Sequence, residues 1–87
     1  MYLTDQERKV VEERGISFDM YNNAVLKTGK FVDGGSWFLM LSANDGGKRK
    51  QYFTMKIFIK NKDGAQMVKT ICNRVSLFAA LEKAETY

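Results

Sequence analysis

Apolar residues recur along this chain in three rhythms, and each predicts a different element. At the start, Thr4-Asp5-Gln6-Glu7 has the spacing of a capping box. In that motif a hydroxyl and a carboxylate reciprocally satisfy two backbone N–H groups that a helix start leaves unbonded. Leu3, Val10 and Val11 add a thin apolar stripe, and Gly15 is a natural stop. The pattern predicts a short helix that must dock on the rest of the chain to persist, because isolated helices of this length are marginal in water.

The middle of the chain alternates. Over residues 16–28, Ile16, Phe18, Met20, Ala24 and Leu26 fall on one side, with Asp19, Tyr21, Asn23 and Lys27 on the other. This predicts a strand, with an interruption near Asn22-Asn23. GKFVDGGS is rich in turn residues, and its Gly34-Gly35 pair serves turn geometry. WFLMLSA follows, a nearly continuous apolar run typical of a central strand covered on both sides, with Trp37 in the core. Asn44-Asp45-Gly46-Gly47 is a hairpin signal, because these residues tolerate the positive φ that tight turns need. In the third strand, Phe53, Met55, Ile57 and Ile59 share one face, plainly a core face. Tyr52, Thr54, Lys56, Phe58 and Lys60 share the other, which is neither cleanly polar nor cleanly apolar.

Beyond Asn61-Lys62-Asp63-Gly64 the rhythm changes again. Asp63 with Gln66 makes a second start resembling a capping box, and Val68, Ile71, Cys72, Val75, Phe78 and Ala79 recur at spacings of three and four. That is the core stripe of an amphipathic helix. A rival reading makes AQMVKTIC a fourth strand, with Asn73 or Ser76 capping a shorter helix. The single long helix is preferred. The expected fold is α+β: a three-stranded antiparallel meander with a short N-terminal helix and a long C-terminal helix on one face (α-β-β-β-α). Such a sheet keeps two open edges and one uncovered face, and homodimerisation through either is expected.

Length changes little in this picture: 87 residues make one small domain, residues 1–87. No apolar run approaches the roughly 20 residues that span a bilayer, and the charged N-terminus has no signal-peptide core. The expectation is a soluble cytoplasmic protein with no membrane partner. Cys72, the single cysteine, has no internal disulfide partner and sits among apolar residues as a small buried hydrophobe.

Charge changes more. The net charge is +4, yet residues 48–62, KRKQYFTMKIFIKNK, hold six of the 14 basic residues and no acid. The remainder has eight bases against ten acids, a net −2. A local patch focuses potential and attracts polyanions in a way a diffuse excess does not. Catalytic chemistry, in contrast, is sparse. The chain has no histidine, which removes the commonest general base, both His-dependent nucleophile arrangements and the commonest metal ligand. One cysteine excludes zinc-ribbon and CxxC patterns, and the glycines lack the spacing of phosphate-binding loops. No enzyme activity, metal or cofactor is expected.

Three readings of the basic stretch compete. Lysines blunt edge strands, which accounts for Lys56 and Lys60 but leaves Tyr52 and Phe58 unexplained. Alternatively, the two rings pack under the N-terminal helix or against a second subunit. The third and preferred reading is a nucleic-acid surface: Lys48, Arg49, Lys50, Lys56, Lys60 and Lys62 contact phosphate, and Tyr52 and Phe58 stack on bases. Single-stranded DNA or RNA is slightly favoured over a duplex. The runner-up function is a protein-binding inhibitor or adaptor that uses the same face against a host or defence enzyme.

Residues 35–51, GSWFLMLSANDGGKRKQ, with residues 59–66, IKNKDGAQ, resemble the small DNA-binding domains at the start of phage-type tyrosine integrases. Those pair a Gly-x-Trp strand with a Gly-Lys-Arg-Lys hairpin and then a helix. The resemblance points to DNA binding, and a chain of this size is common in phages and plasmids. It leaves the N-terminal helix outside its pattern, the third strand here is longer, and no family is assigned on it. The α-β-β-β-α order also occurs in double-stranded-RNA-binding domains, but the lysine pair that opens their last helix is missing from GAQMVKTI.

Overall fold

The computed structural model describes residues 1–44 and 51–87. Its elements are α1 (Asp5–Glu13), β1 (Asn23–Lys30), β2 (Ser36–Asn44), β3 (Tyr52–Lys60), β4 (Gln66–Val75) and α2 (Leu77–Ala84). The capping box forms: Glu7 N donates to Thr4 Oγ1 at 3.1 Å, and Thr4 N donates to Glu7 Oε1 at 2.9 Å. The four strands pair antiparallel in the order β1-β2-β3-β4.

Two of the connections are the same device. In Phe31-Val32-Asp33-Gly34-Gly35 the first N–H reaches the fifth carbonyl at 2.7 Å, and in Asn61-Lys62-Asp63-Gly64-Ala65 at 2.9 Å. Gly34 (φ 100°) and Gly64 (φ 88°) occupy the left-handed position that three-residue hairpin loops require. Asn61 Oδ1 accepts from Asp63 N and Ala65 N, so this segment is a hairpin turn. The helix start expected at Asp63 and Gln66 is overturned by that turn.

The three-stranded expectation is corrected to four strands, and the long C-terminal helix to the eight residues of α2, with Ser76 as its N-cap. The cause lies in two irregularities of β4. Thr70 faces Lys56 but Cys72 faces Met55, and Val75 faces Phe53, so Ile71 is one extra residue and the Asn73-Arg74 pair, standing against Thr54 alone, holds a second. Arg74 takes φ 56° there. Each β-bulge adds one residue to a period of two. The spacing Cys72 to Val75 therefore becomes three and imitates a helix. On α2 itself the buried stripe is Leu77, Ala80, Leu81 and Ala84, while Phe78 and Ala79 face solvent. At the other end, β1 begins at Asn23, later than the expected residue 16. Asp19 Oδ1 accepts from Tyr21 N and Asn23 N, Asn22 adopts φ 61°, and Met20 is 85% exposed. The alternation breaks where the sequence pair Asn22-Asn23 placed the interruption.

The core lies on one side of the sheet. Leu39, Leu41, Phe53 and Met55 are fully buried and cluster with Leu77, Ala80 and Leu81 of α2. Leu3, Val10 and Val11 of the α1 region, with Ile16 and Phe18, pack against the margin of that cluster. Cys72 and Trp37, both expected in the core, are half-buried and pack against the margin of that cluster. Lys27 Nζ donates to the carbonyls of Ala84 and Tyr87, each at 2.8 Å, placing a cation on the carbonyl end of α2. Among the described residues no helix is long and apolar enough to cross a membrane.

Gly29 sits beneath the Trp37 indole, where an added Cβ would clash with Nε1 and the adjoining ring carbons. Gly29→Ala is expected to displace the indole and lower stability by about 1–3 kcal/mol, the usual cost of overpacking. Urea unfolding followed by tryptophan fluorescence measures it.

Candidate functional site: the uncovered sheet face

Period-two alternation sends every second residue of β2 and β3 away from the helices. Across these strands Ser36 faces Lys60, Phe38 faces Phe58, Met40 faces Lys56, Ser42 faces Thr54, and Asn44 faces Tyr52. β1 extends these rows with Asn23, Val25, Thr28 and Lys30, and β4 with Gln66, Val68 and Thr70. Among the described residues no element packs on this face, and Val25 and Val68 are 54% and 52% exposed. β2 is thus covered on one side, against the expectation of two: Phe38 and Met40 stand half-buried on the open side.

Acidic residues are kept off the strands, while the helices carry both signs. The four strands contain no Asp or Glu, and this face carries Lys30, Lys56, Lys60 and Arg74. Asp5, Glu7, Glu12, Glu13 and Glu82 are on the helices. Among the described residues the only ion pair joins Arg14 to Glu85 at 3.4 Å, and no described carboxylate pairs with the lysines of the face. Three His, Cys, Asp or Glu side chains able to hold a metal ion do not gather anywhere among the described residues.

The aromatic centre has a specific geometry. The Phe38 and Phe58 rings are 4.7 Å apart between centroids and 6° from parallel. Rings lying flat side by side cannot approach so closely, so the two stand on edge, face against face. One surface of Phe58 is spent on Phe38, and its other surface looks toward Val68 on β4. A depression of about 250 Å³ beside it is lined by Phe58, Lys60, Gln66 and Met67 among others. Toward the opposite end of the strands, the Arg74 guanidinium lies 5.8 Å from the centre of the Tyr52 ring. There the surface becomes polar: Asn44 Nδ2 donates to Thr54 Oγ1 at 2.7 Å, Thr54 Oγ1 donates to Asn73 Oδ1 at 2.6 Å, and Ser42 Oγ donates to Asn23 Oδ1 at 2.6 Å.

Tyr52, Lys56, Phe58 and Lys60 therefore share one surface, as their spacing implied, and Lys62 lies in the β3–β4 turn. Lys48, Arg49 and Lys50 lie outside the described residues. β3 is an internal strand, so edge protection does not account for Lys56 and Lys60. Nor do Tyr52 and Phe58 lie under the N-terminal helix, which packs on the opposite side. Sequence reasoning missed Phe38, Lys30, Asn44, Asn73 and Arg74. The alternation within Ser36–Asn44 held the signal for Phe38 and Asn44, but the unbroken apolar run hid it. Asn73 and Arg74 were lost with the helix assigned to their segment.

No protein-family model matches the chain, and no curated protein or solved structure matches it significantly.

The stacked pair should be energetically coupled. A double-mutant cycle on Phe38→Ala and Phe58→Ala is expected to give an interaction of about 0.5–1.5 kcal/mol in chemical unfolding, the range for paired aromatic rings. Additivity would show that the rings contribute separately.

Proposed function

We propose that this protein is a non-catalytic binder of single-stranded nucleic acid, held across the open face of the sheet. The observation that carries the reading is the combination on one surface, among the described residues, of cations in no ion pair, upright aromatic rings and no carboxylate. Phosphates supply the negative counter-charge for Lys30, Lys56 and Lys60, and each neutralised phosphate releases counterions to solution. A base stacks on the outer surface of Phe58, with Lys60 beside it for the adjoining phosphate. Base–aromatic stacking contributes roughly 1–3 kcal/mol and tolerates any base.

Size favours a single strand over a duplex. Four strands about 4.8 Å apart make a surface about 14 Å across between the outer strand axes alone, before side chains are added. The duplex major groove is about 12 Å wide and admits a helix or a two-stranded ribbon. A flexible strand instead crosses the whole sheet and reaches Lys30, Phe58 and Lys60 together. Lys48, Arg49 and Lys50, in the link between β2 and β3, would add to the same electrostatic term.

Fluorescence anisotropy with labelled single-stranded DNA, RNA and duplex DNA at two salt concentrations tests this reading. The expected outcome is tighter binding to a single strand, weakening with salt. Lys56→Ala/Lys60→Ala should reduce the slope of log K against log salt by about 1.4, or 0.7 per lost phosphate contact. A folded protein that binds none of the three at low salt would sink the proposal and direct attention to a protein partner for the same face. Preferred duplex binding would overturn the single-strand assignment.

A further inference from the structure

The polar end of the open face holds a second depression, separate from the aromatic pair. It has a volume of about 380 Å³ and is lined by Ser42, Asn44, Thr54, Lys56, Thr70 and Asn73. No carboxylate and no apolar side chain is among them. Thr54, only 7% exposed, is the fixed point of the floor. Its hydroxyl receives a hydrogen from Asn44 Nδ2 and gives its own to Asn73 Oδ1. Those two bonds orient both amides. Asn73 turns its amino group, with two N–H donors, away from Thr54; Asn44 keeps its carbonyl oxygen and one N–H for a ligand. Thr70 adds a hydroxyl, and Lys56, between Met40 and Thr70, adds a cation at the rim.

Donors and an acceptor held at fixed positions in one shallow pocket match the edge of a nucleobase, which presents donors and acceptors side by side. A bare anion would use the donors and leave the Asn44 carbonyl facing it. An apolar group would leave the Asn73 amino group, the Asn44 carbonyl and the Lys56 amine without a partner in the pocket. We infer that this pocket takes one base of the bound single strand and reads it at its edge through Asn44 and Asn73, with Lys56 on the adjoining phosphate. The inference rests on the proposed single-strand binding and adds to it a place where the sequence of the strand is sensed. The stacking surface at Phe58 cannot do this, because every base has a π-face. Pre-orientation by Thr54 means that little side-chain freedom is lost on binding.

The test compares labelled homo-oligomers of dA, dC and dT of equal length, titrated by anisotropy against wild type, Asn73→Ala and Thr70→Val. Asn73 and Thr70 are both exposed, and circular dichroism with thermal unfolding establishes that each variant is folded. Wild type is expected to prefer one oligomer by on the order of tenfold, the worth of one or two edge hydrogen bonds. Asn73→Ala should abolish that preference while the salt slope, set by phosphate contacts, stays as in wild type. Because dA, dC and dT oligomers differ in their own stacking, the loss in the variant is the decisive reading. Should Asn73→Ala not fold, a reduced preference in Thr70→Val supports the pocket and an unchanged one overturns it. Equal binding of all three oligomers by wild type, or a preference that survives in folded Asn73→Ala, overturns base reading and leaves salt-dependent binding standing. Absence of binding to any oligomer overturns both.

Discussion

The amount of apolar cover is the constraint from which the other features of this structure follow. Two helices of nine and eight residues are each about 12–14 Å long, enough to roof one side of a four-stranded sheet and no more. α2 seats Leu77, Ala80 and Leu81 over Leu39, Leu41, Phe53 and Met55, and the segments around α1 close the margin. Strand geometry then leaves no choice about the other side. Each residue placed under the helices puts its neighbour on the opposite surface, so burying Leu39 and Ile57 exposes Phe38 and Phe58. The rings limit their contact with water by packing on one another, which leaves them half-buried on a face that no other described element covers.

Where local chemistry and pattern agreed, the sequence was legible. Thr4 and Glu7 form the capping box their spacing implied, and the odd-numbered residues of β3 from Phe53 to Ile59 face the core. The open surface was half legible for the same reason: alternation in β3 assigned Tyr52, Lys56, Phe58 and Lys60 to one side without any knowledge of their neighbours. Those neighbours were the illegible part. Phe38 became visible as the partner of Phe58 only through the register of β2 against β3, which is a long-range property. Register is set by the burial pattern of both strands together, and the apolar run from Trp37 to Leu41 is compatible with burial on either side or both.

β4 shows how a sequence can mislead when one element imitates the period of another. Val68, Ile71, Cys72 and Val75 have helical spacing, yet Val68 lies on the open face and Cys72 on the core face. Two bulges shift the alternation by one residue each, and the sum reads like a turn of helix. The bulges also have a local consequence. They turn Asn73 toward Thr54 and Arg74 toward the Tyr52 ring, so residues that regular pairing would space evenly converge at one end of the sheet. Bulges commonly re-aim side chains in this way next to binding sites.

Charge segregation separates this surface from an ordinary solvated face. A sheet face that merely meets water gains from mixed signs, because opposite charges across strands attract and like charges repel. Here the four strands hold Lys27, Lys30, Lys56, Lys60, Lys69 and Arg74 with no acid, while four of the ten acids sit on α1. Lys27 is used internally on the carbonyl end of α2, but Lys30, Lys56 and Lys60 have no such assignment. Concentrating like charge on an internal strand has no role in protecting an edge, and the self-repulsion opposes folding. A polyanion crossing the face, as the proposed function requires, would remove that repulsion, so the same cations that oppose folding of the free protein would stabilise such a complex. Binding of a polyanion on this face would therefore be coupled to the stability of the fold through one set of side chains, and the coupling would weaken as salt screens both.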